Sequence, residues 1–287
     1  MNFSNYFNNW LYGVGGYYAN YKDIGKEGDF FTSVSTSHFF GGAIANHLIK
    51  RIHAGDLPRD TFVLEIGAHH GYLLADIIQF IYTIDPTLLE TLTFGIVERF
   101  SHLQEAQLNY FKESFSDVVQ LQHFKDVSEI QKKSGFIVAN EIFDAFSCEI
   151  IHKNQMLTIE DNQAIWIDNI DPFVQKIADK YQIISGEVGL GYENFAHSLF
   201  NAFEKSEFVT FDYGDIAPRN DISMRIYSKH KTYPFFDEEA DLAALYANSD
   251  ITYDVHFGHL IDAFKECGYT HDKYLTQLAA LTDFGIT

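Results

Sequence analysis

Thr61-Phe62-Val63-Leu64-Glu65-Ile66-Gly67-Ala68-His69-His70-Gly71 is the stretch that decides the fold class. Its first six residues form an apolar run interrupted only by Thr61 and Glu65, as expected of a strand buried on both faces. The run stops at Gly67, and Gly71 closes a tight turn. Residues 73–84 then read as a helix. Strand, glycine-bounded turn and helix make the first half of a parallel crossover.

The same alternation continues downstream. Residues 92–98 (LTFGIVE) predict a second strand and 101–111 its helix. Residues 117–122 (DVVQLQ) predict a third strand, 135–141 (GFIVANE) a fourth and 207–214 (EFVTFDYG) a fifth. Strands alternating with helices argue an α/β protein with a doubly wound parallel sheet. Residues 149–168 break the pattern with three short β-like runs separated by Lys153-Asn154 and Asp161-Asn162, and read as an inserted meander or hairpin. From Asp250 onward the pattern is strand or loop over 250–255, a helix stopping at Gly268, and a strand over 269–276. Upstream, residues 37–52 predict a helix behind a segment rich in glycine and aromatics. The polar turn HAGDLPRD at 53–60 is the one obvious seam. It divides an N-terminal extension, 1–52, packing on the ligand site, from a main domain, 53–287, with a β insertion around 149–168.

Composition narrows the class. Of 287 residues, 46% are hydrophobic and 21% charged, which excludes a disordered or fibrous chain. Lys and Arg number 20 against 40 Asp and Glu, a net charge of -20. That field repels polyphosphates, so no nucleic-acid partner is expected, whereas a basic protein segment would be attracted. Cys148 and Cys267 are the only cysteines, too few for a disulfide framework and without metal-ligand spacing. No apolar run approaches a membrane span, and the N-terminus lacks the form of a signal peptide. The expectation is a cytoplasmic protein with free thiols.

Helix-start amides behind a glycine turn favour a ligand carboxylate or phosphate. The spacing is neither the dinucleotide GxGxxG nor a P-loop. Glu98, at the end of the second strand, is placed to accept the two hydroxyls of a ribose. Together they point to an adenosine-containing ligand without a pyrophosphate. His69 and His70 are adjacent in a tight turn, so no metal site is expected there.

Glu65-x-Gly67-x-x-x-Gly71 with Glu98 resembles the first two motifs of class I S-adenosylmethionine-dependent methyltransferases. Further segments narrow the resemblance to the MidA-like family, which includes the mitochondrial complex I assembly-factor arginine methyltransferases. These are Gly16-Tyr17-Tyr18, Gly28-Asp29-Phe30-Phe31-Thr32-Ser33, Phe40-Gly41, Asn140-Glu141-Ile142-Phe143-Asp144-Ala145-Phe146, Asp212-Tyr213-Gly214 and Asp250-Ile251-Thr252-x-x-Val255-x-Phe257. The resemblance covers nearly the whole chain. It implies a Rossmann-like seven-stranded sheet with one antiparallel strand, an N-terminal helical and aromatic extension, and an inserted β substrate region. It also implies S-adenosyl-L-methionine as cofactor, S-adenosyl-L-homocysteine as product, and arginine methylation on a protein partner, with a homodimer as one option.

The residues matching those motifs are Gly67, Gly71, Glu65, Glu98, Asp29, Thr32 and Asn140 toward the cofactor, and Glu141, Asp144 and Asn140 toward catalysis. Glu141 and Asp144 fall within one helical turn after the fourth strand, so both are expected to face one cleft, joined there by Asp212. Paired carboxylates suit a guanidinium, which they grip in bidentate fashion. Tyr17, Tyr18, Phe30 and Phe31 either cover the cofactor or pack in the core. The chain departs from the family where Gly-Pro-Gly-x-Gly becomes Gly67-Ala68-His69-His70-Gly71, and where Thr-Ser-Pro-Glu-Ile-Ser becomes Thr32-Ser33-Val34-Ser35-Thr36-Ser37. Two readings therefore stand: an active protein methyltransferase, or a catalytically weakened assembly factor that keeps the fold. A small-molecule methyltransferase is a third.

Overall fold

A computed structural model describes residues 1–20 and 37–285. Helix α1 (Phe3–Tyr12) buries Phe3, Tyr6, Phe7, Trp10 and Leu11, an apolar stripe at helical spacing. Next come α2 (Phe39–His53), β1 (Phe62–Ile66), α3 (Tyr72–Ile84), β2 (Thr93–Val97) and α4 (Ser101–Phe115). Strands β3 (Leu121–Phe124) and β4 (Lys132–Asn140) complete the first half. The second half opens with β5 (Cys148–His152), β6 (Gln155–Glu160), β7 (Gln163–Ile167), α5 (Pro172–Tyr181) and β8 (Ser185–Gly189). Then follow α6 (Tyr192–Ala202), β9 (Phe203–Phe211), β10 (Gly214–Asp215), β11 (Arg225–Ser228) and β12 (Lys231–Pro234). The chain closes through α7 (Leu242–Leu245), β13 (Asp250–Thr252), β14 (Val255–His256), α8 (Phe257–Cys267) and α9 (Gln277–Phe284).

Contacts divide the chain into two compact units. One draws its described residues from Met1–Phe31, Ile142–Ala196 and Asp212–Thr270; the other from Thr32–Glu141, His197–Phe211 and His271–Thr287. The polar turn at 53–60 therefore lies inside a unit, because the α2 helix before it packs on α3 in that same unit.

The second unit holds the central sheet, ordered β3-β2-β1-β4-β9, with every neighbour parallel. This is the expected Rossmann-like class. The described sheet has five strands where the resemblance implied seven, with no antiparallel member. After Phe211 the chain enters short strands that form separate small sheets: among the described residues β10 pairs with β14, and β11 lies between β12 and β13. The core on one face joins Ile44, Leu48 and Ile49 of α2, Leu74, Ile77 and Ile78 of α3, and Val63, Ile96, Phe136 and Val138 of the strands. Gly95 is required by close packing: a Cβ there would lie 2.3 Å from the Phe62 ring.

In the first unit the expected meander is present and larger. Strands β5, β6 and β7 are antiparallel, and β8 adds to β5, giving the order β7-β6-β5-β8. Asp161 (φ 49) and Asn162 (φ 58) both take left-handed torsions, the geometry that joins β6 to β7 in a two-residue hairpin. Helix α1 packs on this sheet through Cys148, Ile150, Leu157 and Ile159. Helix α5 adds a second core with Ile151, Met156 and Val188.

Three sequence expectations are corrected. The third strand starts at Leu121, since Val118 is exposed just beyond the end of α4. The fifth begins at Phe203 and ends at Phe211, in register from Lys132↔Phe203 to Asn140↔Phe211. Residues 269–276 are not a strand: Tyr274 and Leu275 stay exposed, and the segment leads into α9, whose start Thr276 caps at the Ala279 amide. Among the described residues no helix is long and apolar enough to cross a membrane.

The Phe62 ring has little room to yield, being 1% exposed and edge-on to Phe124. Gly95→Ala is therefore expected to lower unfolding free energy by about 1–3 kcal/mol, as overpacking of a tight core does. Urea unfolding checks this, and an unchanged midpoint would contradict the packing described.

Candidate functional site

In a doubly wound sheet, ligand groups gather at the carboxyl ends of the strands near the reversal of strand order. Here the reversal falls between β1 and β4, with β2 on the far side of β1. The turn after β1, Glu98 after β2, and Asn140 and Glu141 closing β4 all belong to the second unit.

The turn is built on left-handed torsions: Gly67 (φ 74), His69 (φ 47) and Gly71 (φ 78). Glycine takes these freely, whereas His69 carries a Cβ into a disfavoured region. Gly71 is also tightly packed: a Cβ there would lie 3.0 Å from the Phe111 ring, which would have to give by a few tenths of an ångström. Below the turn, Glu65 is 4% exposed and its Oε2 accepts from the Leu74 amide at 3.0 Å. Glu65 thus caps the first turn of α3 from inside the protein. Burial, aided by the nearby Asp76 carboxylate, pushes its pKa up to about 8, against the opposing bond from Leu74.

Glu98 is 7% exposed. Its carboxylate accepts from the Phe100 amide at 2.9 Å, and its carbonyl accepts from Gln104 Nε2 at 2.6 Å. Burial raises its pKa above the usual carboxylate range. At the end of β4, Asn140 Nδ2 donates to Glu141 Oε1 at 3.1 Å, while Asn140 Oδ1 is buried with no hydrogen-bond partner. An orphaned buried acceptor is costly unless a ligand or water completes it. Glu141 also holds a left-handed torsion (φ 53), fixed by its amide donating to the Phe211 carbonyl at 2.8 Å.

That torsion corrects the expected helical pairing of Glu141 with Asp144. No α-helix follows β4; a single 3-10 turn, Phe143–Ala145, does. Asp144 belongs to the first unit and is 5% exposed. The Asp144 charge helps hold the Tyr18, Tyr192 and Tyr253 hydroxyls in their protonated form, after the larger effect of burial. Asp212, assigned from sequence to a substrate cleft, instead caps this turn. Its Oδ2 accepts from the Phe143 amide at 2.8 Å and the Asp144 amide at 3.3 Å, and its Oδ1 from the Tyr213 amide at 2.8 Å. Gly214 completes the motif sterically, because a Cβ would lie 1.9 Å from the Val255 carbonyl oxygen.

Tyr17 and Tyr18 are core residues of the first unit, with Tyr18 Oη donating to the Asp250 carboxylate at 3.0 and 3.1 Å. Asp29, Thr32, Phe30 and Phe31 lie outside the described residues. Sequence reasoning missed Gln107 and His123. Gln107 Nε2 donates to the His69 carbonyl at 2.6 Å, and His123 Nε2 lies 2.8 Å from Gln107 Oε1. A lone glutamine on a helix gives no signal of such a role. Among the described residues no group of three or more His, Cys, Asp or Glu is arranged to hold a metal.

Comparison with known proteins adds family evidence. Residues 43–275 match the profile of the family described as "Putative S-adenosyl-L-methionine-dependent methyltransferase". The chain is 26% identical over 187 residues to bovine "Protein arginine methyltransferase NDUFAF7, mitochondrial", covering 59% of this chain and 41% of the relative. The rat protein of that name is 22% identical over 284 residues, covering 85% and 62%. The chain thus spans about two fifths to three fifths of these relatives' lengths. A crystal structure from Burkholderia thailandensis, bound to S-adenosyl-homocysteine, superposes with a TM-score of 0.75 at 19% identity. It covers 93% of this chain and 72% of that one, a likeness of fold.

Glu65 gives a pH prediction. Its folded pKa of about 8 lies above the ordinary 4.5, so the folded state binds the extra proton between those values. Stability is then fully present below about pH 4.5 and falls as pH rises through 8. Glu65→Gln keeps an acceptor for Leu74 and should flatten this loss. Urea unfolding at pH 5, 7 and 9 measures it; an unaltered pH profile would mean that Glu65 is charged in the folded protein.

Proposed function

We infer the function from one premise: the chain belongs to the MidA-like family of S-adenosylmethionine-dependent methyltransferases. On that basis we propose that it transfers a methyl group from S-adenosylmethionine to an arginine of a protein partner. The observation that carries the reading is the orphaned Asn140 Oδ1 at the carboxyl end of β4, in the same unit as the left-handed glycine turn and the buried Glu98. An unfilled acceptor beside a glycine-built backbone fits a ligand with amino and hydroxyl donors.

When bound, the cofactor supplies an electrophilic methyl on a sulfonium. In our reading the backbone at Gly67 and Gly71 receives its amino-acid half. Glu98 accepts from the ribose hydroxyls, Asn140 accepts from an amino group, and Glu65 steadies the helix start beneath. Asp29 and Thr32 are cofactor-binding candidates by the resemblance alone and lie outside the described residues. Transfer is an in-line displacement, so the chain's contribution is alignment and charge placement. Glu141, held by its amide bond to Phe211, is the carboxylate we assign to the substrate guanidinium. There it localises positive charge away from the attacking nitrogen. Asp144 matches the family motif by resemblance alone and lies buried in the first unit, so we give it no part in the grip on the guanidinium. A protein arginine as substrate is supported by the names of the relatives and by the net charge of -20.

The second reading, a methyltransferase-fold assembly factor without turnover, draws on the left-handed His69. Calorimetry with S-adenosylmethionine and mass spectrometry of captured partners for methylated arginine decide between them.

Glu98→Ala should weaken cofactor binding by about 1–3 kcal/mol, the range for hydrogen bonds to a charged group; unchanged affinity in a folded variant rejects the ribose assignment. Glu141→Gln should cut methylation by at least ~100-fold, comparable to the loss of one well-placed electrostatic group, with cofactor affinity little altered. Normal turnover in that variant would remove Glu141 from the mechanism.

A further inference from the structure

The left-handed backbone at His69 is held from outside the turn. Gln107, on α4, is 0% exposed, and a buried primary amide must find partners for both its ends. Its Nε2 donates to the His69 carbonyl at 2.6 Å. Its Oε1 can only accept, so His123 carries its proton on Nε2 and donates across 2.8 Å. The two bonds agree on one orientation of the amide. Burial lowers the His123 pKa and favours the neutral ring, whose Nε2–H tautomer makes this bond. Helix α4 also sits directly against the turn: a Cβ on Gly71 would meet Phe111 at 3.0 Å and the Gln107 Cγ at 3.6 Å. The chain from β3 through α4 to the turn is therefore one continuous strut, all within the second unit.

A side chain at φ 47 is disfavoured because its Cβ crowds the backbone. Left alone, residue 69 would relax toward a negative torsion, and the flanking peptide planes that face the ligand would turn with it. A short hydrogen bond to the carbonyl of residue 69 opposes that rotation directly. We propose that Gln107 is a positioning residue for cofactor binding: it clamps the His69 carbonyl and keeps residues 67–71 in their ligand-receiving shape although a side chain occupies a left-handed position. The inference rests on reading this turn as the S-adenosylmethionine site. His123 is the anchor of the clamp and reaches the turn through Gln107.

The test is a double-mutant cycle between Gln107→Leu, which removes both bonds at similar volume, and His69→Gly, which removes the need for them. Calorimetry with S-adenosylmethionine and with S-adenosylhomocysteine gives the affinities, and urea unfolding without ligand gives a second readout. Gln107→Leu should raise the Kd for both compounds about tenfold, the scale of one lost buried hydrogen bond. In the His69→Gly background the same change should raise it less than about threefold, because glycine holds the torsion unaided. The ligand-free unfolding midpoints should show coupling of the same sign. Should Gln107→Leu lower the folded yield, Gln107→Glu keeps the size and the acceptor for His123 but replaces the donor to the His69 carbonyl with a carboxyl oxygen. Wild-type affinity in Gln107→Leu, or equal losses in both backgrounds, overturns the proposal while leaving the cofactor site intact. If the wild type binds neither compound, the cofactor reading itself fails and takes the proposal with it.

Discussion

Strand β1 has parallel partners on both edges, β2 on one and β4 on the other. Much else in the second unit follows from that pairing. A parallel neighbour cannot be reached by a hairpin, so each connection crosses a sheet face. The faces then fill with helices, and β1, buried at all five positions, becomes an apolar run. The strand ends are left for chemistry. Glu98, the 67–71 turn and Asn140 follow three adjacent strands in the order β2-β1-β4, so one topological constraint assembles the groups on which cofactor recognition would rest.

The same constraint explains what the sequence could disclose. Strands β1, β2 and β4 were legible because burial on both faces leaves short, near-continuous runs of apolar letters. Edge strand β3, half-buried along its length, has no such signature, and its start was misplaced toward Val118. Strand β9 begins with Phe203, Glu204 and Lys205, and the exposed charges of Glu204 and Lys205 hid its first four residues, 203–206, from view. In the site, Gly67, Gly71 and Glu98 were readable from their positions after strands. Gln107 was not, because a buried glutamine and a solvated one look alike until the partner carbonyl is located.

Charge needs the same care. A net charge of -20 invites the view that acids at strand ends wait for a cation. Several are committed to the protein's own amides. Asp212 accepts from three, Glu187 accepts from the Ser223 and Met224 amides and the Ser223 hydroxyl, and Asp171 caps α5 at Phe173 and Val174. A carboxylate that satisfies backbone donors stabilises a turn through charge-assisted bonds and is poorly disposed to leave it for a substrate. Under the proposed arginine substrate, the steering field for a basic segment would remain, since it depends on total charge. The grip on a guanidinium would narrow to acids that are not so committed, and net charge cannot tell the two kinds apart.

Backbone strain makes the distinction that charge does not. Asp161 and Asn162 are left-handed because a hairpin requires it, Lys229 and His230 because they join β11 to β12, and Gln182 because it ends α5. Like Asn220 in its loop, His69 and Glu141 close no hairpin and end no helix. They stand after β1 and after β4, the two strands between which the order reverses, and each is held by a hydrogen bond from a neighbouring element: Gln107 to the His69 carbonyl, and the Glu141 amide to Phe211. Strain that local turn geometry does not demand persists only where surrounding structure over-determines it. Its coincidence with the strand-order reversal ties the altered turn and the Asn140-Glu141 segment to one purpose. On this argument the His69 substitution is a rebuilt wall of the same site, with α4 supplying the restraint that a glycine there would not have needed.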